Sequence, residues 1–362
     1  MATKVDGKYS ELISLSQSQL GWHKARIKFF VMFITALCKL QTVCFSQLAQ
    51  GFEGKAEVGS NLRRIQRFFA GFAVDNIVIA KLIFSLLPHK PPYRLCLDRT
   101  NWKFGGVDIN ILMLSIAYEG VAIPLLWELL PKRGNSNCKE RKRLLESYIG
   151  LFGPATIGSF LADREFIGDE WFGELISKEA PFYIRVRGNM WVDVPGGGRK
   201  KAFWLFNSLK LNQAYYCPKI VYLGKHLVYL SGVKTVGRGN ALEFVIIASF
   251  KPGHGALGEY KHRWQIETMF RAMKSSGFNI EATHLSDLGR VTKLVALVAV
   301  AFTWAYKAGI YRHEKVKPIK VKRHGRRAYS FFKYGLEFIA QALLNPFKTK
   351  DLKICIKILS CT

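Results

Sequence analysis

Residues 1 to about 90 carry a helical spacing of apolar and polar positions. Glu11 to Gly51 is mostly unbroken by glycine or proline. Asn61-Leu-Arg-Arg-Ile-Gln-Arg-Phe-Phe-Ala-Gly71 starts on a capping residue type and ends on glycine, which predicts a further helix. Asp75 or Asn76 is placed to cap the next one, and Leu87-Pro88 stops it. His89-Lys-Pro-Pro92 reads as a boundary.

From Tyr93 the pattern turns strand-like. Arg94 to Asp98 leads to a glycine-containing turn at Phe104-Gly105-Gly106. Two apolar runs, Asp108 to Ala117 and Val121 to Leu130, are split by Tyr118-Glu-Gly120, so the pattern predicts a three-stranded meander. Lys139 to Leu151 predicts a basic amphipathic helix, Ile157 to Ala162 a strand, Asp169 to Ser177 a helix and Phe182 to Val186 a strand. The order β-β-β-α-β-α-β is the one a ribonuclease-H-like core requires. In that fold the first and fourth strands are neighbours, which would bring Asp98 and Asp163 together.

Residues 191–252 interrupt this core as a β-rich insertion. Gly196-Gly-Gly198-Arg-Lys-Lys201 is a flexible basic turn, and Val221 to Leu230 and Leu242 to Ser249 read as strands. Trp191 and Trp204 are expected to pack in the core, with stacking on an unpaired base as the alternative. Farther on, Ser286 to Tyr311 predicts a mostly buried helix capped by Ser286 or Asp287. Lys315 to Arg327 is a basic run broken by Pro318 and Gly325, expected to be disordered alone and ordered on a polyanion. Ala328 to Asn345 reads as a last helix.

Composition narrows the partners. At 362 residues, nearly half of them hydrophobic, the chain can build two or three domains. Its 54 Lys and Arg against 26 Asp and Glu give a formal net charge of +28. Self-repulsion of that size is best tolerated when a polyanion is the partner. The charge is spread along the whole chain and not gathered beside one anchor, which disfavours a membrane surface. The apolar run Leu294 to Tyr306 is too short to cross a bilayer and reads as a buried helix. Seven cysteines, an odd count with no Cys-x2-Cys pair, support neither a zinc site nor a disulfide framework. A polar N-terminus unlike a signal peptide, with this cysteine usage, suits a reducing cytoplasm.

The densest chemistry lies in Tyr260-Lys-His-Arg-Trp-Gln-Ile-Glu-Thr-Met-Phe-Arg-Ala-Met-Lys274. On one helix Tyr260, Arg263, Glu267 and Lys274 fall within an arc of roughly 60°. Met269 and Met273 point the other way, with Ile266 at the edge. That face could hold a phosphate backbone with its cations and a metal ion with its carboxylate. It could also be a plain amphipathic face, since Arg263 and Glu267 are i,i+4 partners. Two more carboxylates bear on the choice. Arg94-Leu-Cys-Leu-Asp98-Arg99 and Ser159-Phe-Leu-Ala-Asp163-Arg164 are each a short apolar run ending in Asp-Arg. An Asp at the carboxyl end of a strand is rigidly held and faces a crevice. Taken singly, each could be a turn residue or an N-cap. The Arg63-Arg64-Arg67 cluster is either a phosphate contact or a solvated face. The eight histidines are scattered singly, and His262 is expected to face solvent.

With these residues the chain resembles bacterial DDE transposases of the family founded by insertion sequence four, marked by a Tyr-Arg-Glu-Lys signature. Positions 260, 263, 267 and 274 match that signature in type and spacing, and Asp98-Arg-Thr-Asn-Trp102 and Ala162-Asp163-Arg-Glu-Phe166 resemble its first and second Asp blocks. The resemblance runs from about Tyr93 to about Gly277. It implies a mixed α/β ribonuclease-H-like sheet flanked by helices and a catalytic core over 91–190 and 253–312 split by the insertion; the ends match no family motif, and their pattern and charge are read as a helical DNA-binding domain over 1–90 and a basic tail and helix over 313–362. It implies that Asp98, Asp163 and Glu267 bind two Mg²⁺ ions, replaceable by Mn²⁺, for cleavage and strand transfer. Tyr260, Arg263 and Lys274 would position terminal phosphates. The implied partner is double-stranded DNA, both terminal inverted repeats and target, held by a homodimer in the bacterial nucleoid. A nuclease that cuts without joining, and a catalytically dead DNA-binding protein, remain the alternatives.

Overall fold

The structure is a computed structural model describing residues 9–323 and 325–359. The polar N-terminal residues 1–8, Cys361 and His324 of the basic run lie outside them. Five helices open the chain: α1 (Ser10–Leu20), α2 (Lys24–Leu40), α3 (Phe45–Gln50), α4 (Val58–Gly71) and α5 (Asn76–Ser85). The expected run from Glu11 to Gly51 is therefore three helices. It breaks where Gly21 (φ 64°) and Gln41 (φ 53°) turn left-handed. Helix α4 begins before Asn61, whose buried amide donates to the Ala49 and Ala56 carbonyls and caps nothing. Asp75 does cap α5, accepting from the Ile77 N–H at 2.8 Å.

The sheet carries the rest of the chain. Its strands are β1 (Tyr93–Phe104), β2 (Val107–Tyr118), β3 (Val121–Leu129), β4 (Ile157–Ala162) and β5 (Phe182–Val186). Helices α6 (Cys138–Phe152) and α7 (Asp169–Ser177) fall between them. Asn137 and Glu140 form a reciprocal capping box on α6. The lateral order β3-β2-β1-β4-β5, with β1 parallel to β4 and β4 to β5, makes the first and fourth strands neighbours, as expected. Strand β1 does not stop at Asp98; it runs on to Phe104 as one arm of a long hairpin with β2.

The following strands are β6 (Trp191–Val194), β7 (Gly198–Lys201), β8 (Ala214–Tyr216), β9 (Val221–Leu223), β10 (His226–Val236) and β11 (Leu242–Ser249). They do not stand apart. Strand β11 pairs antiparallel with β5, so the sheet reaches eleven strands. The expected strand Val221 to Leu230 is split at Gly224 (φ 62°), where a Cβ would lie 1.7 Å from Asp169 Oδ1, leaving room only for glycine.

Helices α8 (Ala256–Lys261), α9 (Trp264–Lys274), α10 (Leu288–Tyr311), α11 (Phe331–Leu344) and the unforeseen α12 (Thr349–Lys357) complete the chain. Asp287 caps α10, accepting from the Arg290 N–H at 2.7 Å. With the turn after it, α10 is long and apolar enough to cross a membrane, yet its most apolar stretch is 83% buried inside the protein. It packs on β3, α2, α5 and α11, and so joins the N-terminal helices to the sheet. The basic run is not the structureless segment expected. Val321 bridges Arg327, and the Lys322 and Ala328 N–H groups donate to the Arg326 and Lys320 carbonyls at 2.8 Å each. Burial of Ile319 roots this hairpin.

Candidate active site

The parallel pairing of β1 with β4 ends at Leu97 opposite Ala162. Beyond that rung β1 pairs with β2 alone, and β4 ends. Asp98 and Asp163 are the next residues on the two strands, so a crevice opens at both positions. Each aspartate accepts the N–H of the arginine after it, Asp98 Oδ1 from Arg99 and Asp163 Oδ1 from Arg164, both at 2.7 Å. This shared local hydrogen bond fixes both carboxylates in the same way. Their flanks are also tied together: the Arg99 guanidinium forks onto Glu165 at 2.9 and 3.3 Å and reaches the buried Asn110 at 3.1 Å.

The signature segment is not one uninterrupted helix. Helices α8 and α9 meet at His262-Arg263, where i→i+3 bonds tighten the chain: Arg263 N–H to the Tyr260 carbonyl, Gln265 N–H to His262 and Ile266 N–H to Arg263. Ile266, Met269 and Met273 are buried as the pattern predicts. That burial turns the opposite side of α9 toward the two aspartates.

Arg263 is the centre of the arrangement. Only 6% exposed, it donates from Nη1 to Asp98 Oδ2 at 3.2 Å and from Nη2 to Glu267 Oε1 at 2.5 Å. Burial opposes its charge, but Tyr260, Glu267 and Asp98 hold its pKa above the usual guanidinium value. Burial also pushes Asp98 up, to about 6. The Arg99 N–H and Arg263 pull it back, while the charges of Asp163 and Glu267 push it further up. Asp98 thus feels the charges of both other acids. Tyr260 donates to Asp163 Oδ1 at 3.3 Å, and burial raises its phenol pKa.

Asp98, Asp163, Glu267, Tyr260 and Arg263 are therefore one connected cluster, and Lys274 stands outside it. Its ammonium binds Glu281 at 2.7 Å and the Asn101 carbonyl at 3.1 Å, 5.6 Å from the centre of the Trp102 ring. It lies two helical turns past Glu267, at the end of α9, against the arm of β1 beyond Asp98. Trp191 and Trp204 do not pack in the core. They are 51% and 57% exposed because β6, β7 and the turn after them have no layer covering them. Trp191 has Arg199 and Lys201 over its ring, and Trp204 stacks on Phe203. His262 is half-buried and hydrogen-bonded to Gln265.

The sequence patterns missed two features. Trp264, inside the signature, is 59% exposed; a helical wheel set by Ile266, Met269 and Met273 would have placed it outward. The second is a clamp below the site. Arg94 and Ser159, each four residues before its aspartate and opposite each other in the sheet, both donate to Glu259 Oε1 at 2.7 Å. Burial works against Glu259's charge, but these two bonds win and lower its pKa. Glu259 precedes Tyr260, so the clamp seats the signature on both aspartate strands.

Among the described residues no three His, Cys, Asp or Glu side chains converge as a closed metal cluster. The donor chemistry nevertheless fits a hard divalent ion: the convergent groups are carboxylate oxygens, and the mutual repulsion felt by Asp98 is what such an ion relieves. Arg263 holds the neutralising place between Asp98 and Glu267.

Residues 89–304 match the family described as Transposase DDE domain. No curated protein matches the chain.

Proposed function

The chain belongs to the transposase DDE domain family, and from that premise we propose that it is the transposase of a bacterial insertion sequence of the insertion-sequence-four group. DDE transposases cut DNA and use divalent metal ions. In the proposed reaction this chain binds the terminal inverted repeats of its element, hydrolyses the end phosphodiester and joins the freed 3′-hydroxyl to target DNA. Asp98, Asp163 and Glu267 hold the ions, Mg²⁺ or Mn²⁺. When bound, two such ions neutralise charge on the scissile phosphate and favour a hydroxide nucleophile. The observation that supports this most is the cluster itself: one buried guanidinium joins Asp98 to Glu267, and the neighbouring Tyr260 hydroxyl donates to Asp163.

The chain's own residues do the rest. Asp98 gives up its proton before it can ligate, and its raised pKa sets that step near pH 6. Once Asp98 and Glu267 have another counter-charge, Arg263 turns its planar fork to a terminal phosphate, a shape that matches two phosphate oxygens. Tyr260 steadies Asp163 and helps position the terminal phosphate. Lys274, at the end of α9 beside the far arm of β1, contacts the phosphate backbone farther along. The exposed Arg63 and Arg67 of α4 contribute contacts from the N-terminal region, and two protomers pair the two ends in the cytoplasm.

A strand-transfer assay with the flanking inverted repeats tests this reading. Joined product supports it. Cleavage without joining identifies a nuclease, and end binding without cleavage in Mg²⁺ or Mn²⁺ identifies a dead DNA-binding protein.

A further inference from the structure

We propose that the hairpin Lys315 to Arg327 is a rigid arm that grips the phosphate backbone of duplex DNA at a site separate from the catalytic cluster. This rests on the transposase reading for the identity of the polyanion, and it adds a second contact surface to it. The segment holds no acid. Lys317, Lys320, Lys322 and Arg323 are exposed along it, and Lys315 is exposed in the helical turn Arg312–Val316 that leads into it. Such like-charged groups would drift apart on a loose chain; here the backbone holds them. The Ile319 N–H donates to His313 Nδ1 at 2.8 Å, the Tyr334 hydroxyl donates to the Lys317 carbonyl at 2.9 Å, and Val321 bridges Arg327. Arg327 lies 4.3 Å from the Phe331 ring centre and pairs with Glu119 at 3.0 Å, so its charge is spent as an anchor and not on a ligand. None of the anchoring contacts uses the side chains of Lys317, Lys320, Lys322 or Arg323. A preordered row of cations loses little side-chain and backbone freedom on meeting phosphates.

The anchor also locates the arm. Glu119 sits in the turn between β2 and β3. Asp98 pairs with Met113, five residues before Tyr118. Glu119 is six residues past Met113, so at ~3.4 Å per residue the anchor is about 20 Å along the sheet from Asp98, toward the start of β1. On a duplex lying along that direction, this spans about six base pairs. Exposed charges repeating along a hairpin suit the regular backbone of a duplex better than the flat charge of a lipid surface.

The experiment measures the salt dependence of binding to a duplex extending well beyond the cut site. It compares the wild type with the Lys317→Gln, Lys320→Gln, Lys322→Gln, Arg323→Gln variant. Counterion release gives a log–log slope of about −0.9 per phosphate neutralised, so the variant's slope should be shallower by about 2 to 4. Equal slopes would overturn the arm. Should the variant not fold, the full-length protein carrying photoreactive benzoylphenylalanine in place of Lys320 is irradiated on the same duplex. Crosslinks to nucleotides about six or more base pairs from the cut support the arm; crosslinks confined to nucleotides nearer the cut, or absence of any DNA crosslink, overturn it. Cleavage by the wild type in Mg²⁺ is scored separately, so failure of the transposase reading shows there while the arm is judged on slope and crosslink.

Discussion

Leu97 and Ala162 form the last parallel rung between β1 and β4, and Asp98 and Asp163 each follow it by one residue. A strand pair that parts there leaves two carboxylates, Asp98 and Asp163, side by side and unable to move apart. Replacing either with Ala, or Glu267 with Ala, should abolish cleavage and leave affinity for DNA ends nearly intact. Affinity comes mainly from cations on phosphates, whereas in the proposed reaction these groups would hold metal. Gel-shift and cleavage assays run together check this; normal cleavage by any one variant removes that residue from the site.

Arg263 and Lys274 should fail in different ways, because the structure puts them in different surroundings. Arg263→Ala strands Asp98 in a buried place without its counter-ion, and loss of a buried partner costs about 3–5 kcal/mol. The protein should melt earlier, and Asp98 should hold its proton to higher pH. Lys274→Ala breaks a pair with the exposed Glu281, worth about 1 kcal/mol or less. Its melting should barely change, while cleavage slows through lost phosphate placement. Calorimetry without metal, followed by cleavage against Mg²⁺ concentration, separates them. Full rescue of Lys274→Ala by extra Mg²⁺ would show that the lysine tunes metal affinity and touches no phosphate.

The element order and the adjacency of the first and fourth strands were legible because turns, caps and strand-length apolar runs are local signals: Gly105-Gly106, Asp75 and Asp287 each acted where they stood. What the pattern could not give was pairing between distant segments. Nothing in residues 191–252 says that β11 will hydrogen-bond to β5 and extend the core sheet. Helical spacing placed Tyr260, Arg263 and Glu267 on one side, but it treated Arg263 as a surface cation. Its burial follows from Asp98, 165 residues away in sequence. Trp191 and Trp204 misled for the opposite reason. Their size suggests core, but no layer covers the strand and turn that carry them.

The junction of α10 with α11 offers a test of the fold independent of catalysis. A Cβ on Gly309 would lie 1.8 Å from the Phe331 carbonyl oxygen, and one on Gly335 the same distance from that of Ala305. The two helices touch backbone to backbone, so neither neighbour can yield by rotating a side chain. Gly309→Ala should therefore cost roughly 2 kcal/mol or more in forced separation. Urea unfolding measures it; an unchanged midpoint would mean the helices do not cross at this point.

Two carboxylates near the site should give the metal-free protein opposite responses to pH. Asp98 has its pKa pushed up to about 6 by burial, against about 3.9 in an unfolded chain. A raised carboxyl pKa means the native state binds the proton more tightly. Its stabilising share is full below about pH 3.9 and is lost as pH rises through 6. Glu259 is the reverse: burial opposes its charge, but Arg94 and Ser159 lower its pKa. Its share is full above the unfolded value, about 4.3, and is lost as pH falls through the lowered native value. Thermal melts from pH 3 to 8 should show the two contributions separately in variants. Asp98→Asn should remove a fall in stability between about pH 4 and 7, while Glu259→Gln should remove a fall on the acid side. If Asp98→Asn left the profile between pH 4 and 7 unchanged, Asp98 would ionise there at no cost. Burial could not then be governing its proton, and the metal site would load without a pH threshold near 6.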